Sequence, residues 1–176
     1  PVAENQEQEQ EQEQEEHSSS ARASRGLEKA TAPPNAVSIP KRKRVLVADD
    51  HEVTRHGVVS LLADQPDIEV CGEAQDGLEA VAKTRELKPD LVILDLTMPQ
   101  LGGFAAAYEI RKMDVSPKLL IFTTHFYPTL EESVRSARCD GYVLKGGASR
   151  DLLRGIRAVL GGDKFYNSEA AKARSA

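Results

Sequence analysis

The sequence predicts an α/β protein with a doubly wound parallel sheet, and three observations lead to this prediction. Short apolar runs rich in Val, Ile and Leu recur between residues 45 and 144, as is typical of strands buried on both faces. Segments with helical spacing of apolar residues separate these runs. No apolar run approaches the roughly 20 residues that a membrane-spanning helix needs, so we expect a soluble, cytoplasmic protein without a membrane partner.

Strands and helices alternate five times along the predicted domain. The predicted strands are residues 45–48, 68–71, 91–94, 119–122 and 142–144. The predicted helices are residues 53–63, 77–87, 104–113, 130–137 and 152–160. This alternation favours one five-stranded parallel sheet with right-handed crossovers and helices on both faces.

Residues 1–40 differ in composition from the rest of the chain. Residues 6–16 alternate Gln and Glu without an apolar residue, and such a segment cannot offset the entropy of ordering. We therefore expect a disordered acidic and Gln-rich tail and linker over residues 1–40. The folded domain is predicted over residues 41–162, with 163–176 as a C-terminal tail or the start of a linker.

The charge distribution argues against a nucleic-acid partner. Residues 1–40 hold eight acidic and three basic residues, which accounts for the whole formal net charge of −5. The remaining 20 acidic and 20 basic residues balance. A balanced domain lacks the basic excess of a nucleic-acid footprint, so we expect no sequence-specific nucleic acid binding by this chain.

Polar residues follow the predicted strands at the edge where ligands bind in open parallel sheets. Asp49 and Asp50 follow the first strand, Asp95 the third, Thr123 the fourth and Lys145 the fifth. Three carboxylates in one crevice repel each other, and Mg²⁺ is the common remedy for that repulsion. A lysine and a hydroxyl beside the ion suit the oxygens of a phosphoryl group in transfer.

The cysteines and histidines give no support to another metal site. Cys71 and Cys139 have no Cys-x-x-Cys spacing and no adjacent histidine cluster, which argues against a disulfide framework or a zinc site and favours two reduced thiols. His51 and His125 could suggest a metal pair, but neutral imidazoles are poor ligands for Mg²⁺.

Four motifs give the chain a resemblance to the receiver domains of two-component response regulators, most similar to those of the LuxR/NarL type. They are Val-Ala-Asp49-Asp50-His51, Leu-Asp95-Leu-Thr-Met98-Pro99 followed by Gly103, Ile-Phe-Thr123, and Asp140-Gly141-Tyr142-Val-Leu-Lys145. The resemblance covers residues 44–161. It implies a flavodoxin-like (βα)5 fold with strand order 2-1-3-4-5.

The resemblance also implies a chemical role for the acidic residues. Asp95 would be the nucleophile that accepts a phosphoryl group from a histidine kinase, a phosphotransfer protein or a small acyl phosphate. Asp50, Asp95 and the backbone carbonyl of Thr97 would be direct Mg²⁺ ligands, and Asp49 would act through a metal-bound water. The protein would then be a signalling switch and not an enzyme.

Three further residues would stabilise the phosphoryl group and transmit its presence. Lys145 would pair with the phosphoryl charge, and Thr123 would donate its hydroxyl to a phosphoryl oxygen. Tyr142 would change rotamer as that hydroxyl moves. The switch surface would lie along the fourth helix, fifth strand and fifth helix, and a homodimer could form there or through the first and fifth helices.

Simpler interpretations exist for each residue taken alone. Asp50 could cap the first helix, and Thr123 could be an ordinary β-branched strand residue. Lys145 could be a solvated loop charge, and Tyr142 a core aromatic that does not move.

The chain departs from the family pattern at several points. Gly146 stands where many receivers have a cis proline, and Arg138 and Cys139 stand where Gly-Ala is usual. We therefore expect a non-glycine to close the fourth helix at a cost of about 1 kcal/mol. A LuxR-type output domain would need roughly 60 more residues, whereas only residues 161–176 follow the predicted fifth helix. This leaves open a stand-alone receiver or a transcriptional regulator without its helix-turn-helix, with a Mg²⁺-dependent phosphatase as the alternative from another class.

Overall fold

The computed structural model describes residues 41–147 and 149–166, and within these ranges it contains a six-stranded sheet and five helices. The strands are β1 Lys43–Ala48, β2 Ile68–Ala74, β3 Leu91–Leu94, β4 Lys118–Thr123, β5 Gly141–Leu144 and β6 Phe165–Tyr166. The helices are α1 Glu52–Ala63, α2 Gly77–Leu87, α3 Gly103–Arg111, α4 Leu130–Ser136 and α5 Ser149–Gly161. The tail and linker predicted over residues 1–40 lie outside the described residues. No helix in the described ranges combines the length and apolarity needed to cross a membrane.

The sheet is parallel throughout, with strand order β2-β1-β3-β4-β5-β6. The predicted doubly wound fold and the order 2-1-3-4-5 are confirmed. The prediction of five strands was incomplete, because β6 pairs with β5 through Gly141 with Phe165 and Tyr142 with Tyr166. A strand of two residues has no periodicity to detect, and β6 lies in residues 163–176, for which the sequence predicts a tail or the start of a linker.

The two faces of the sheet carry separate hydrophobic cores, and β1 shows how the sequence builds both. Val45 and Val47 join the core beneath α1 and α5, whereas Leu46 and Ala48 join the core beneath α2, α3 and α4. All four side chains are buried, because alternate residues of a strand point to opposite faces and helices cover both. The central strands are thereby covered on both faces, and because all of them are parallel their carboxyl ends meet at one edge.

The ends of α1 and α4 test two expectations from the sequence. His51 is the N-cap residue of α1 and makes no side-chain capping bond, so the interpretation of Asp50 as the helix cap finds no support. The chain closes α4 at Arg138 with φ of 55°, which confirms that a non-glycine occupies the left-handed region there. The guanidinium of Arg111 donates to the carbonyl oxygen of Arg138 at 3.0 and 3.1 Å and helps to hold this turn.

Both cysteines are free thiols, with Cys139 buried and Cys71 partly buried. Burial raises the pKa of the Cys139 thiol to about 12. Cys139 therefore stays protonated at neutral pH and acts as an apolar core residue.

Candidate functional site

The carboxyl ends of β1, β3 and β5 bring two acidic residues and a lysine into contact. Lys145 Nζ lies 2.6 Å from Asp49 Oδ2 and 2.8 Å from Asp95 Oδ2. These side chains are at most 10% exposed, so their charges interact in surroundings that water screens poorly. The structure thus places three of the predicted site residues in a single buried cluster.

Together with the exposed Asp50 beside it, this cluster carries more negative than positive charge. Asp49, Asp50, His51 and Asp95 each present one potential ligand atom, and these atoms all lie within 4.8 Å of one another. Three carboxylates against the one ammonium of Lys145 leave a formal charge of −2. Asp49 Oδ2 is buried and makes no hydrogen bond of ordinary geometry, with the Lys145 ammonium as its ionic contact. Hard oxygen donors with a surplus of negative charge fit Mg²⁺.

His51 links the two adjacent aspartates. Its backbone N–H donates to Asp49 Oδ1 at 3.0 Å, and its Nδ1 lies 2.9 Å from Asp50 Oδ1. His125 is not a member of the ligand cluster. Its Nδ1 lies 3.3 Å from the hydroxyl of Thr97, so the two histidines do not form a pair around one ion.

Thr123 and Tyr142 lie on adjacent strands below this cluster. Thr123, at the end of β4, is fully buried, and its Oγ1 accepts the backbone N–H of His125 at 3.0 Å. The backbone N–H of Lys145 donates to the carbonyl oxygen of Thr123 at 2.6 Å. Tyr142 on β5 is buried, and burial, with a smaller contribution from the charge of Glu131, raises the pKa of its phenol.

Arg55 supports the site and was missed by the sequence analysis. Its Nη1 donates to the backbone carbonyl of Asp49 at 2.7 Å, and its Nε donates to Glu73 Oε2 at 3.1 Å. Arg55 therefore fixes the backbone that carries Asp49 while its own charge is paired. No pattern in the sequence marks this arginine, because its role depends on the approach of α1 to the ends of β1 and β2.

Gly103 shapes the loop that presents Asp95. A Cβ at this position would overlap the backbone carbonyl of Asp95, and the Gly103 N–H donates to the carbonyl oxygen of Leu96 at 2.9 Å. A larger residue would push this loop away from the site. The glycine was visible in the sequence as part of a motif, but its steric purpose required the structure.

Comparison with known proteins identifies the family. The protein-family model described as the response regulator receiver domain matches residues 45–157 of this chain. The response regulator protein VraR of Staphylococcus aureus is 37% identical over 126 residues, which cover 72% of this chain and 60% of VraR. The chain therefore spans about 60% of the length of the curated relatives that it matches.

Solved structures agree with this assignment. A LuxR family two-component response regulator from Aurantimonas sp. SI85-9A1 is 34% identical with a TM-score of 0.70, and the match covers 77% of this chain and 100% of that one. The isolated REC domain of RcsB from Salmonella enterica serovar Typhimurium, in the presence of phosphomimetic BeF3−, is 26% identical with a TM-score of 0.69. That match covers 75% of this chain and 98% of the RcsB domain.

Proposed function

This chain belongs to the family of response regulator receiver domains, and we propose that residues 41–162 form a unit that accepts a phosphoryl group on Asp95. The observation that carries the proposal is the contact of Lys145 Nζ with Asp95 Oδ2 at 2.8 Å, inside a buried acidic cluster. A nucleophile beside a fixed cation is what transfer of an anionic phosphoryl group requires.

The proposed reaction forms a bond between a carboxylate oxygen of Asp95 and phosphorus. With a phosphohistidine donor, the P–N bond breaks as the O–P bond forms, and the departing imidazole keeps the electron pair and takes up a proton. The product is an acyl phosphate on Asp95. The Lys145 ammonium would then contact the phosphoryl oxygens, and its burial strengthens that attraction.

We propose that Mg²⁺ is required for this transfer. Asp50, Asp95 and the backbone carbonyl of Thr97 would hold the ion, and Asp49 would act through a bound water. When bound, Mg²⁺ would neutralise charge on the phosphoryl oxygens. The formal charge of −2, which remains although Lys145 contacts both Asp49 and Asp95, supports this part of the proposal.

Thr123 and Tyr142 are proposed to transmit the phosphorylation. Thr123 Oγ1 accepts one hydrogen bond, and within the described residues its hydroxyl hydrogen has no acceptor, so it is available for a phosphoryl oxygen. As the hydroxyl moves toward Asp95, Tyr142 would enter the space that Thr123 leaves. The surface formed by α4, β5 and α5 would thereby change shape.

The partners that we propose follow from the family. A histidine kinase or phosphotransfer protein would supply the phosphoryl group, and a homodimer could form through α4, β5 and α5 or through α1 and α5. Similarity to VraR and to a LuxR family regulator supports a role in regulating transcription. We propose that the described domain regulates and does not itself recognise a DNA sequence, since its five helices cover the sheet.

A Mg²⁺-dependent phosphatase is not retained as an alternative. Such an enzyme would require an aspartate two residues after the nucleophile, and this chain has Thr97 at that position. The relatives and structures described above are named as response regulators or their receiver domains.

Labelling with a small acyl phosphate tests the proposed function. In Mg²⁺, intact-mass measurement should show one added phosphoryl group on the wild type and none on Asp95→Asn, because an amide cannot replace the carboxylate nucleophile. Asp50→Ala should need more Mg²⁺ for the same labelling. Asp114→Asn, which alters an exposed aspartate between α3 and β4, is the matched control and should label as the wild type does. Wild-type labelling of Asp95→Asn would refute the assignment.

A further inference from the structure

The strand β6 is anchored to the sheet by a defined set of contacts. The N–H of Phe165 donates to the carbonyl oxygen of Asp140 at 3.1 Å. Lys164 Nζ lies 2.8 Å from Asp140 Oδ1 and donates to the carbonyl oxygen of Cys139 at 3.4 Å. Residues 164–166 are therefore held beside β5 by both backbone and side-chain contacts.

The two aromatic residues of β6 pack on opposite faces of the sheet. Phe165 belongs to the core beneath α1 and α5, whereas Tyr166 belongs to the core beneath α4. The Tyr166 ring lies 6.1 Å from the Tyr142 ring, centroid to centroid, at an interplanar angle of 52°. The Arg135 guanidinium of α4 lies 4.3 Å from the Tyr166 ring centroid, within reach of a cation–π interaction.

Two glycines make room for this docking. A Cβ at Gly141 would overlap the backbone of Phe165, and a Cβ at Gly155 would lie 3.0 Å from Phe165 Cδ1. Small residues on both β5 and α5 thus allow β6 to approach closely. The docked position is a built feature of the fold, supported by residues on three separate elements.

We propose that residues 164–166 form a latch and that Tyr166 is a positioning residue for Tyr142. This inference rests on the proposed function, in which Tyr142 moves as Thr123 turns toward the phosphoryl group. Thr123 on β4 and Tyr166 on β6 lie on opposite sides of β5, so a Tyr142 ring that moves toward Thr123 would withdraw from Tyr166. Phosphorylation and the closed latch would therefore compete. Phosphorylation would therefore favour release of residues 164–166 from β5.

Binding of beryllofluoride, a phosphoryl mimic, in Mg²⁺ tests the latch. Coupling between two sites is reciprocal, so a mutation that opens the latch should raise the affinity for the mimic. We expect Tyr166→Ala to bind beryllofluoride roughly fivefold more tightly than the wild type by calorimetry. Tyr166→Phe keeps the ring contacts and should remain within about twofold of the wild type. Tyr108→Ala removes a tyrosine on α3 that is 62% exposed and should also have no effect.

Amide hydrogen exchange in the wild type gives a second measurement that needs no mutation. Beryllofluoride should speed exchange of the Phe165 N–H, which bonds to Asp140 in the latch. An unchanged or lower affinity of Tyr166→Ala, or unchanged exchange at Phe165 in mimic-bound wild type, would overturn the latch while leaving the phosphoryl site intact. If the wild type does not bind the mimic at all, the proposed function fails, and the latch fails with it.

Discussion

Buried carboxylates lie both where the strands begin, here called the amino edge, and where they end, the carboxyl edge. The balance of charge around them differs between the two. At the amino edge, Asp140 precedes β5 and meets several cations. At the carboxyl edge, Asp49 and Asp95 share Lys145 and lie near a third carboxylate, Asp50. The first arrangement satisfies its carboxylate, whereas the second leaves negative charge uncompensated.

The contacts of Asp140 show what a satisfied buried carboxylate looks like. Its Oδ2 accepts the Arg111 guanidinium at 2.9 Å and the Leu119 N–H at 2.9 Å, and its Oδ1 accepts Lys164 Nζ at 2.8 Å. Burial alone would raise the pKa of Asp140, but the hydrogen bonds from Lys164 and Leu119 and the nearby charges outweigh burial and lower it. Asp140 therefore ties α3, β4 and residue 164 to the start of β5.

The balance of charge around a buried carboxylate separates a structural role from a functional one in this fold. Removing a buried carboxylate that several donors contact destabilises the folded state, because those donors lose their partner. A surplus of carboxylates opposes folding until a cation binds. The same Asp-to-Asn change should consequently have opposite effects at the two edges.

The largest effect is expected for Asp140→Asn. The substitution removes the charge that pairs with Arg111 and Lys164 and should lower the free energy of unfolding by about 3 kcal/mol. Urea denaturation at pH 7 measures this loss, with the exposed Asp114→Asn as the control. A loss below about 1 kcal/mol, the worth of an ordinary surface pair, would break the comparison.

The pH dependence of that loss follows from the lowered pKa of Asp140. A carboxyl whose folded pKa is depressed contributes stability above its unfolded pKa of about 3.9, and the contribution disappears as the pH falls through the folded value. The difference in the free energy of unfolding between the wild type and Asp140→Asn should therefore reach its largest value at neutral pH. It should shrink in acid, below about pH 4.

A smaller effect of opposite sign is expected at the carboxyl edge. In EDTA, Asp49→Asn removes one of three crowded carboxylates while Lys145 keeps its contact with Asp95. The free energy of unfolding should rise, by up to about 1 kcal/mol. Adding Mg²⁺ should raise the thermal midpoint of the wild type more than that of the variant, since the ion stabilises the state that binds it. A destabilisation in EDTA as large as that of Asp140→Asn would show that the two edges do not differ.

The sequence was sufficient to predict the strands that position the site. The runs of Val, Ile and Leu predicted β3 with its observed bounds, and they predicted the ends of β1 and β4 closely enough to locate Asp49 and Thr123 at strand ends. The sequence did not predict β6, because two residues, Phe165 and Tyr166, are too few to show a periodic pattern. It did not predict the role of Arg55, because the contact of Arg55 with the Asp49 backbone depends on tertiary packing.

The roles of individual residues were harder to predict than their positions. The convergence of Asp49, Asp95 and Lys145 followed from sheet geometry, and the structure brings these side chains together. The assignments of Thr123 and Tyr142 as switch residues came from the resemblance, because hydroxyl and aromatic residues occur in many strands. The closure of α4 by a non-glycine was predictable, since the chain has Arg138 where the family usually has glycine.

The smallest effect is expected for Arg138→Gly, near the amino edge. Arg138 has φ of 55°, and glycine adopts that region without the steric cost of a Cβ, although it raises the entropy of the unfolded chain. The carbonyl oxygen that accepts Arg111 belongs to the backbone and is kept. Urea denaturation should therefore show a gain of about 0.5 kcal/mol, with Lys88→Gly, at another left-handed position with φ of 47°, as the matched control. A more stable Lys88→Gly with a less stable Arg138→Gly would mean that the Arg138 side chain adds to the positive charge around Asp140. The amino edge would then depend on one more cation than those that contact Asp140 directly.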